Sequence, residues 1–308
     1  MKTPNSPKSA PAAPTTTEAK FEFDFESEFG GAKFGDRRLN KRAVHFTGSA
    51  LRHPETSIPT MAGGAGAAAG VYKFIANPKV TMENIAQAHQ EQTVTRCQQA
   101  KEAVLLLHDS TTFGYGKDTK RTGLGPIAGG GMGFLAHVTL AIGEDSTRPL
   151  GILKCKPLAR PVPDPLATPR PKGTVAKRDR RSDVENEGWR WFEQATETGR
   201  MLGEVARVHV ADRESDDYKY FWTLAQAQES LVTRVSGNRV LAGGVDLFAT
   251  MDGMVVQLCR TVRLSRRAPG PGPAQRKANP PRDERMAKLE ISSGSICIPR
   301  PPRTPSRM

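Results

Sequence analysis

Hydrophobic positions along the chain follow two different rhythms. Over residues 28–96 the pattern is mostly helical. Gly35-Asp36 reads as a helix entry, and Arg37, Arg38, Lys41, Arg42 and Arg52 follow at spacings that set several of them on neighbouring faces. A run of small residues, MAGGAGAAAG at 61–70, leads into VYKFIANPKV, and Asn77-Pro78 marks a turn. Thr81, followed by Glu83 and Asn84, starts a further helix that extends to about Gln99.

Beyond that point the runs shorten. Ala103–Leu107 is an apolar strand ending in His108-Asp109, and a glycine-rich loop occupies 123–133. Phe134–Ile142 and Leu150–Cys155 are the second and third strands, followed by a basic, proline-rich loop over 156–182. Glu185–Gly203 has helical spacing, with Trp189, Phe192, Ala195, Met201 and Leu202 as its stripe. Val205–Ala211 is a fourth strand ending at Asp212, Ser215–Gln228 a helix, and Leu231–Val235 a fifth strand. Three strands, helix, strand, helix, strand is an α/β order, with a meander first and parallel crossovers later. It fits a ribonuclease H-like core, a mixed sheet with flanking helices, preceded by a small, mostly helical domain. In that arrangement the first and fourth strands are parallel neighbours, so Asp109 and Asp212 come together across the sequence.

Charge narrows the partners. The 308-residue chain carries a formal net charge of +13 with a sequence pI near 9.8, which points to a polyanion. Residues 154–181 hold nine Lys/Arg against two Asp, and residues 260–308 hold twelve against three acids. Either run reads equally as a solvated loop or as a nucleic-acid contact. No apolar run is long enough to span a membrane, and no secretory signal begins the chain. The four cysteines form no CxxC pair, which argues against a zinc knuckle or disulfide framework and fits a cytoplasmic protein. The expected organisation is a disordered leader at 1–24, a helical domain at 25–98, an α/β core at 99–237 and a C-terminal segment over 238–308 that includes a basic, proline-rich tail.

Two carboxylates on adjacent strand ends make a hard oxygen site suited to Mg²⁺ or Mn²⁺. Two such ions can activate a nucleophile and stabilise a leaving oxygen in phosphoryl transfer. The plainer alternative is that each aspartate caps a turn or helix, since Asp212 precedes a helix and Asp109 precedes Ser110-Thr111-Thr112.

Local motifs add to this. HDSTTFGYG at 108–116 resembles the first catalytic-aspartate motif of DDE transposases of the IS-four class, the Tn-five type. VADRESDDY at 210–218 is similar to the second, and GFLAHVTLAI at 133–142 to the second core strand. GDRRLNKR at 35–42 and GVYKFIANPKV at 70–80 resemble parts of that family's N-terminal DNA-binding domain. The resemblance covers about residues 25–240. It implies metal-dependent cut-and-paste transposition by a dimer assembled on double-stranded transposon ends, in the cytoplasm beside the nucleoid. Asp109 and Asp212 take the first two metal-ligand roles. Arg42, Arg52 and Lys73 fall on DNA-contacting positions, and Arg37, Arg38 and Lys41 join them by charge. Arg213 and Glu214 lie in the second motif without a separate role, and His137 reads as a packed strand histidine. The family's third carboxylate sits on a late helix after a β-rich insertion. Here the chain turns Pro- and Arg-rich, and neither Glu284 nor Glu290 lies on such a helix, so a truncated, catalytically impaired copy is expected. The competing functions are a non-cleaving, transposition-inhibiting binder of transposon ends and a metal-dependent nuclease.

Overall fold

A computed structural model describes residues 24–117, 119–143, 149–162, 187–270, 272–273, 277 and 279–299. The expected leader and most of the basic, proline-rich loop lie outside the described residues. Backbone contacts divide the chain into two units between Thr93 and Val94.

The first unit is helical. It comprises α1 (Phe25–Phe29), α2 (Arg37–Arg52), α3 (Ile58–Met61), α4 (Ala65–Ile75) and most of α5 (Met82–Gln98). The predicted entry to α2 is present: Gly35 takes a φ of +71°, and the Asp36 side chain accepts a hydrogen bond from the Arg38 amide at 2.8 Å. The small-residue stretch becomes α4, which buries Ala68, Val71 and Phe74 at every third position. Phe74 packs with Phe34, Ala43 and Ala88 into the unit's core. Asn77 closes the predicted turn by accepting from the Lys79 amide.

The second unit is built on a mixed six-stranded sheet. Its strands are β1 (Val104–Gly114), β2 (Gly125–Pro126), β3 (Met132–Gly143), β4 (Pro149–Leu158), β5 (Arg207–Ala211) and β6 (Ser230–Thr233). β3 is antiparallel to β1, β2 and β4, whereas β1–β5 and β5–β6 are parallel. Helix α6 (Trp189–Leu202) connects β4 to β5, and α7 (Tyr218–Gln226) connects β5 to β6. Both pack on one face. Leu202 joins Val104, Leu106, Ala141 and Leu153, while Trp191, Phe192 and Ala195 join Ala211, Tyr220 and Leu224. Each large apolar side chain buried there contributes about 1.5–3 kcal/mol. The period-2 alternation sends Leu105, Leu107, Val138, Leu140, Val208 and Val210 to the other face, where all are only half-buried.

Two sequence expectations need correction. β1 does not stop at Asp109. It runs on to Gly114, because β3 pairs along its whole length down to Gly133. Beyond the sheet lie α8 (Leu247–Asp252) and a second, two-stranded antiparallel sheet of β7 (Leu258–Leu264) and β8 (Arg285–Ile291). β8 falls where only a basic tail was expected; it buries little, and its charged Arg285, Lys288 and Glu290 made the stretch read as solvated. Glu284 pairs with Arg263 and Glu290 with Lys288, so both late acids serve this hairpin.

Candidate functional site

The register of β1 on β5 decides where the two aspartates lie. Partners run from Val104–Arg207 to His108–Ala211. Asp109 and Asp212 are therefore the next residues on two parallel strands, which lie about 4.8 Å apart. Asp212 keeps extended backbone, φ −83° and ψ −177°. Alternation places Asp109 with Leu105 and Leu107, and Asp212 with Val208 and Val210, on the face away from α6 and α7.

The capping alternative holds for one of them. Asp212 Oδ1 accepts from the Glu214 amide at 2.8 Å and opens a 3-10 turn over Arg213–Ser215. Its carbonyl accepts from Ser215 Oγ and Thr233 Oγ1, which ties it to β6. Asp109 caps nothing: it lies within a strand, is exposed, and its carboxylate has no ion pair among the described residues. The pair thus offers the free Asp109 carboxylate and one uncommitted Asp212 oxygen. These hard donors suit Mg²⁺ or Mn²⁺, with water or phosphate completing the coordination. Among the described residues no group of three His, Cys, Asp or Glu is placed to hold a metal ion.

Beneath the pair, between the sheet and α6, runs a hydrogen-bonded layer. His108 Nε2 lies 2.8 Å from His209 Nδ1, and its Nδ1 lies 2.9 Å from Thr139 Oγ1, which also accepts from Gln194. His137 Nδ1 lies 2.9 Å from Ser110 Oγ, and its ring meets Trp191 edge-on. All three rings are buried. Burial pushes His137 down to about 3 and His209 to about 4, the latter against the opposing pull of Glu229, and His108 well below the usual histidine value. The packed-strand reading of His137 therefore holds, within a polar layer rather than an apolar one.

Arg190 joins this layer to the site. It is 7 % exposed, donates to Ser110 Oγ at 3.0 Å and to the Glu187 carbonyl at 2.7 Å, and pairs with Glu214 at 2.5 Å. Ser110 follows Asp109 and Glu214 follows Asp212 by two, so one guanidinium holds both strand ends. Asp216 is also buried and binds the Ser236 amide and hydroxyl and Arg239. Neither residue stood out in the sequence. The available signal was an arginine between Trp189 and Trp191, on a helix that also buries the polar Gln194 and Thr198. Arg190→Met is expected to destabilise the second unit by about 1–3 kcal/mol, because it leaves the Ser110 hydroxyl and the Glu187 carbonyl without their donor, whereas the exposed Glu214 keeps its hydration. Arg190→Lys should recover little, since an ammonium cannot span Ser110 and Glu214 as a fork does. Urea unfolding followed by tryptophan fluorescence checks both; a change under 1 kcal/mol for Arg190→Met rules the anchoring role out.

In the first unit, Arg37, Arg38, Lys41, Arg42 and Arg52 lie on α2 and Lys73 on α4, all exposed. They divide into two kinds. Arg42 donates to the Gly70 carbonyl at 2.9 Å, and the Arg52 guanidinium lies 5.4 Å from the Phe25 ring centroid, so both also brace the unit. Arg37, Arg38, Lys41 and Lys73 carry no ion pair among the described residues. Among those residues no helix is long and apolar enough to cross a membrane. Residues 25–80 match the family model described as transposase DNA-binding. By that likeness the chain is a DNA-binding protein related to transposition, and the basic helices of its first unit lie within the matching stretch.

Proposed function

We propose that this chain is a transposase of the DDE type, with a ribonuclease H-like core acting at transposon ends held by the first unit. The observation that carries the reading is the parallel pairing of β1 and β5, which sets Asp109 and Asp212 side by side. Further support is the strand order β4-β3-β1-β5-β6, with a helix in each parallel crossover. Asp109 and Asp212 would hold Mg²⁺ or Mn²⁺, which supplies charge neutralisation and nucleophile activation in phosphoryl transfer. The chain's own contribution is positioning. Thr233 and Ser215 fix Asp212, Arg190 fixes the turn after it, and β3 holds Asp109 in an extended strand. The reaction needs chromosomal DNA, so we place it in the cytoplasm at the nucleoid, with two copies on paired ends.

A second reading has its own observation. Two aspartates hold the second ion poorly, and among the described residues Glu214, the nearest acid in sequence, is committed to Arg190. We therefore infer that this chain by itself occupies ends without cutting them, which would make it an inhibitor of cleaving copies. Purified chain with Mg²⁺ or Mn²⁺ and a duplex bearing the native ends is expected to give an end-specific complex and no strand cuts. In the same preparation Asp109→Asn should weaken Mn²⁺ binding, read by electron paramagnetic resonance, at least tenfold without shifting the unfolding midpoint. Cuts at the ends that Asp212→Ala abolishes would overturn the non-cleaving reading and make the chain a complete enzyme. Cuts without end preference would make it a nuclease. Unchanged Mn²⁺ binding would remove the metal site.

A further inference from the structure

β1 outruns its partner β5. Past Asp109 it continues through Ser110–Gly114, paired only with β3, and the chain then turns back through a glycine-rich connection. The alternation that puts Asp109 on the face away from α6 puts Thr111 and Phe113 there too. Phe113 is paired with Phe134 on β3, and their rings lie nearly parallel, at 17°, with centroids 5.0 Å apart. Tyr115 extends the stack, 6.2 Å from Phe134 at 27°, and the Arg121 guanidinium sits 4.7 Å from the Tyr115 centroid. From these contacts we propose that Phe113, Phe134 and Tyr115, with Arg121, form a stacking platform for the unpaired bases of a DNA strand passing Asp109.

Three features point to a ligand rather than to hairpin stability alone. The first is exposure. Phe113 is 45 % and Tyr115 38 % accessible. A cross-strand aromatic pair that served only the hairpin would gain about 0.2–1 kcal/mol from its own contact, and would gain more by turning inward. Among the described residues Phe113 stacks on Phe134 alone and is otherwise accessible, and a nucleobase can add to such a stack because stacking on an aromatic side chain tolerates any base.

The second is charge. Over residues 110–143 the sequence carries Lys117, Lys120 and Arg121 against Asp118 alone, and the three cations are exposed. A backbone following the rings would meet cations, and Arg121 adds a planar cation to the stack.

The third is relief. Gly116, Gly129, Gly130 and Gly131 all have positive φ, and a Cβ on Gly133 would lie 2.1 Å from the Phe113 carbonyl. The glycines let the backbone close tightly beside the Phe113–Phe134 pair. Phe113 is four residues from Asp109, roughly 13 Å at 3.3 Å per residue, or about four base steps at 3.4 Å each. A strand end held at the aspartates would therefore lay its next few bases on the platform.

The inference rests on reading this unit as one that handles DNA strands, but its test is separate from the metal. Full-length chain is titrated against a fluorescent 15-mer of thymidine, an abasic oligomer of the same length and a blunt duplex. Loss of stacked bases costs about 1–3 kcal/mol each, so Phe113→Ala and Tyr115→Ala should weaken thymidine-oligomer binding between 5- and 150-fold. Duplex affinity should move less than twofold, and Phe113→Trp should bind the oligomer as tightly as the parent. In the unmodified chain, a 4-thiothymidine oligomer should photocrosslink to the peptide containing Phe113 and Tyr115 or to that containing Phe134, a readout independent of how the variants fold. Equal loss for duplex and oligomer, tight binding of the abasic oligomer, or crosslinks confined to other peptides would each overturn the proposal. Mn²⁺ binding that survives Phe113→Ala but not Asp109→Asn would leave the carboxylate reading standing whatever becomes of the platform.

Discussion

Neutralising Arg37, Arg38, Lys41 and Lys73 together, each to Gln, is expected to lower duplex-DNA affinity about 10³-fold at 0.1 M salt, and only about threefold at 0.5 M. The four side chains are exposed on α2 and α4 and carry no ion pair among the described residues, so their charge is free to meet phosphates. Each phosphate neutralised releases counterions and adds about −0.9 to the slope of log affinity against log salt. Removing four contacts should flatten that slope by about 3.6, which is why the deficit shrinks as salt rises. Preference among sequences should change less than affinity, since phosphate contacts position the protein rather than read bases. Arg42 and Arg52 are left out because they also brace Gly70 and Phe25. Anisotropy titrations at several salt concentrations give the slope directly. A quadruple variant with the parent's slope would move the DNA surface elsewhere, most plainly to the basic stretch over 154–181.

The second large effect is acid unfolding of the second unit at a pH where most carboxylates are still charged. His108, His137 and His209 are kept neutral by burial, their folded values lying below the ordinary 6.5. Above pH 6.5 both folded and unfolded rings are neutral and the layer costs nothing. As pH falls below 6.5 the unfolded chain takes up protons that the folded one refuses. Stability is then lost continuously down to about pH 4 for His209 and about 3 for His137. Each histidine contributes a slope of about 1 kcal/mol per pH unit in that window, against a typical total of about 5–15 kcal/mol. Glu229 and Arg207 face His209, and Arg190 faces His137. The three tryptophans, Trp189, Trp191 and Trp222, all lie in this unit, so their fluorescence reports on it alone. The urea midpoint should fall steeply between pH 6.5 and 4.5, and His137→Phe should make the fall shallower. A midpoint independent of pH over that interval would show that the rings are hydrated or already charged in the folded state.

The backbone of this protein is largely legible in its apolar runs, and the site is legible only in part. VARVHVA and AVLLL read as strands because each is a short run rich in Val, Ala and Leu; each leads to an acid, and the first also carries the polar Arg207 and His209. The Gly35-Asp36 entry and the Asn77-Pro78 turn could be read because a single side chain does the capping. What stayed hidden depends on partners far away in sequence. Nothing local says that Arg190 will bridge Ser110 and Glu214, or that His108 will meet His209 across the sheet. The extension of β1 past Asp109 was missed because its polar run, Ser110-Thr111-Thr112, looks like a turn; the length of β3 decides it. β8 was missed because its alternation, Lys288-Leu289-Glu290-Ile291, is short and lies in a Pro- and Arg-rich stretch.

The pairing of β1 with β5 also has a consequence in time. The β1–β3 hairpin closes between Gly114 and Gly133, but the β1–β5 ladder must close a loop of roughly a hundred residues, which costs about 1.5 kcal/mol more in chain entropy. The helices of the first unit, held by local contacts, face no such delay. On a growing chain the segment matching a DNA-binding domain leaves the ribosome whole, while Asp212 is still unmade and Asp109 has no neighbour. The stretch that matches a DNA-binding domain and the carboxylate pair are thus born at different moments, the first complete while the second has yet to form.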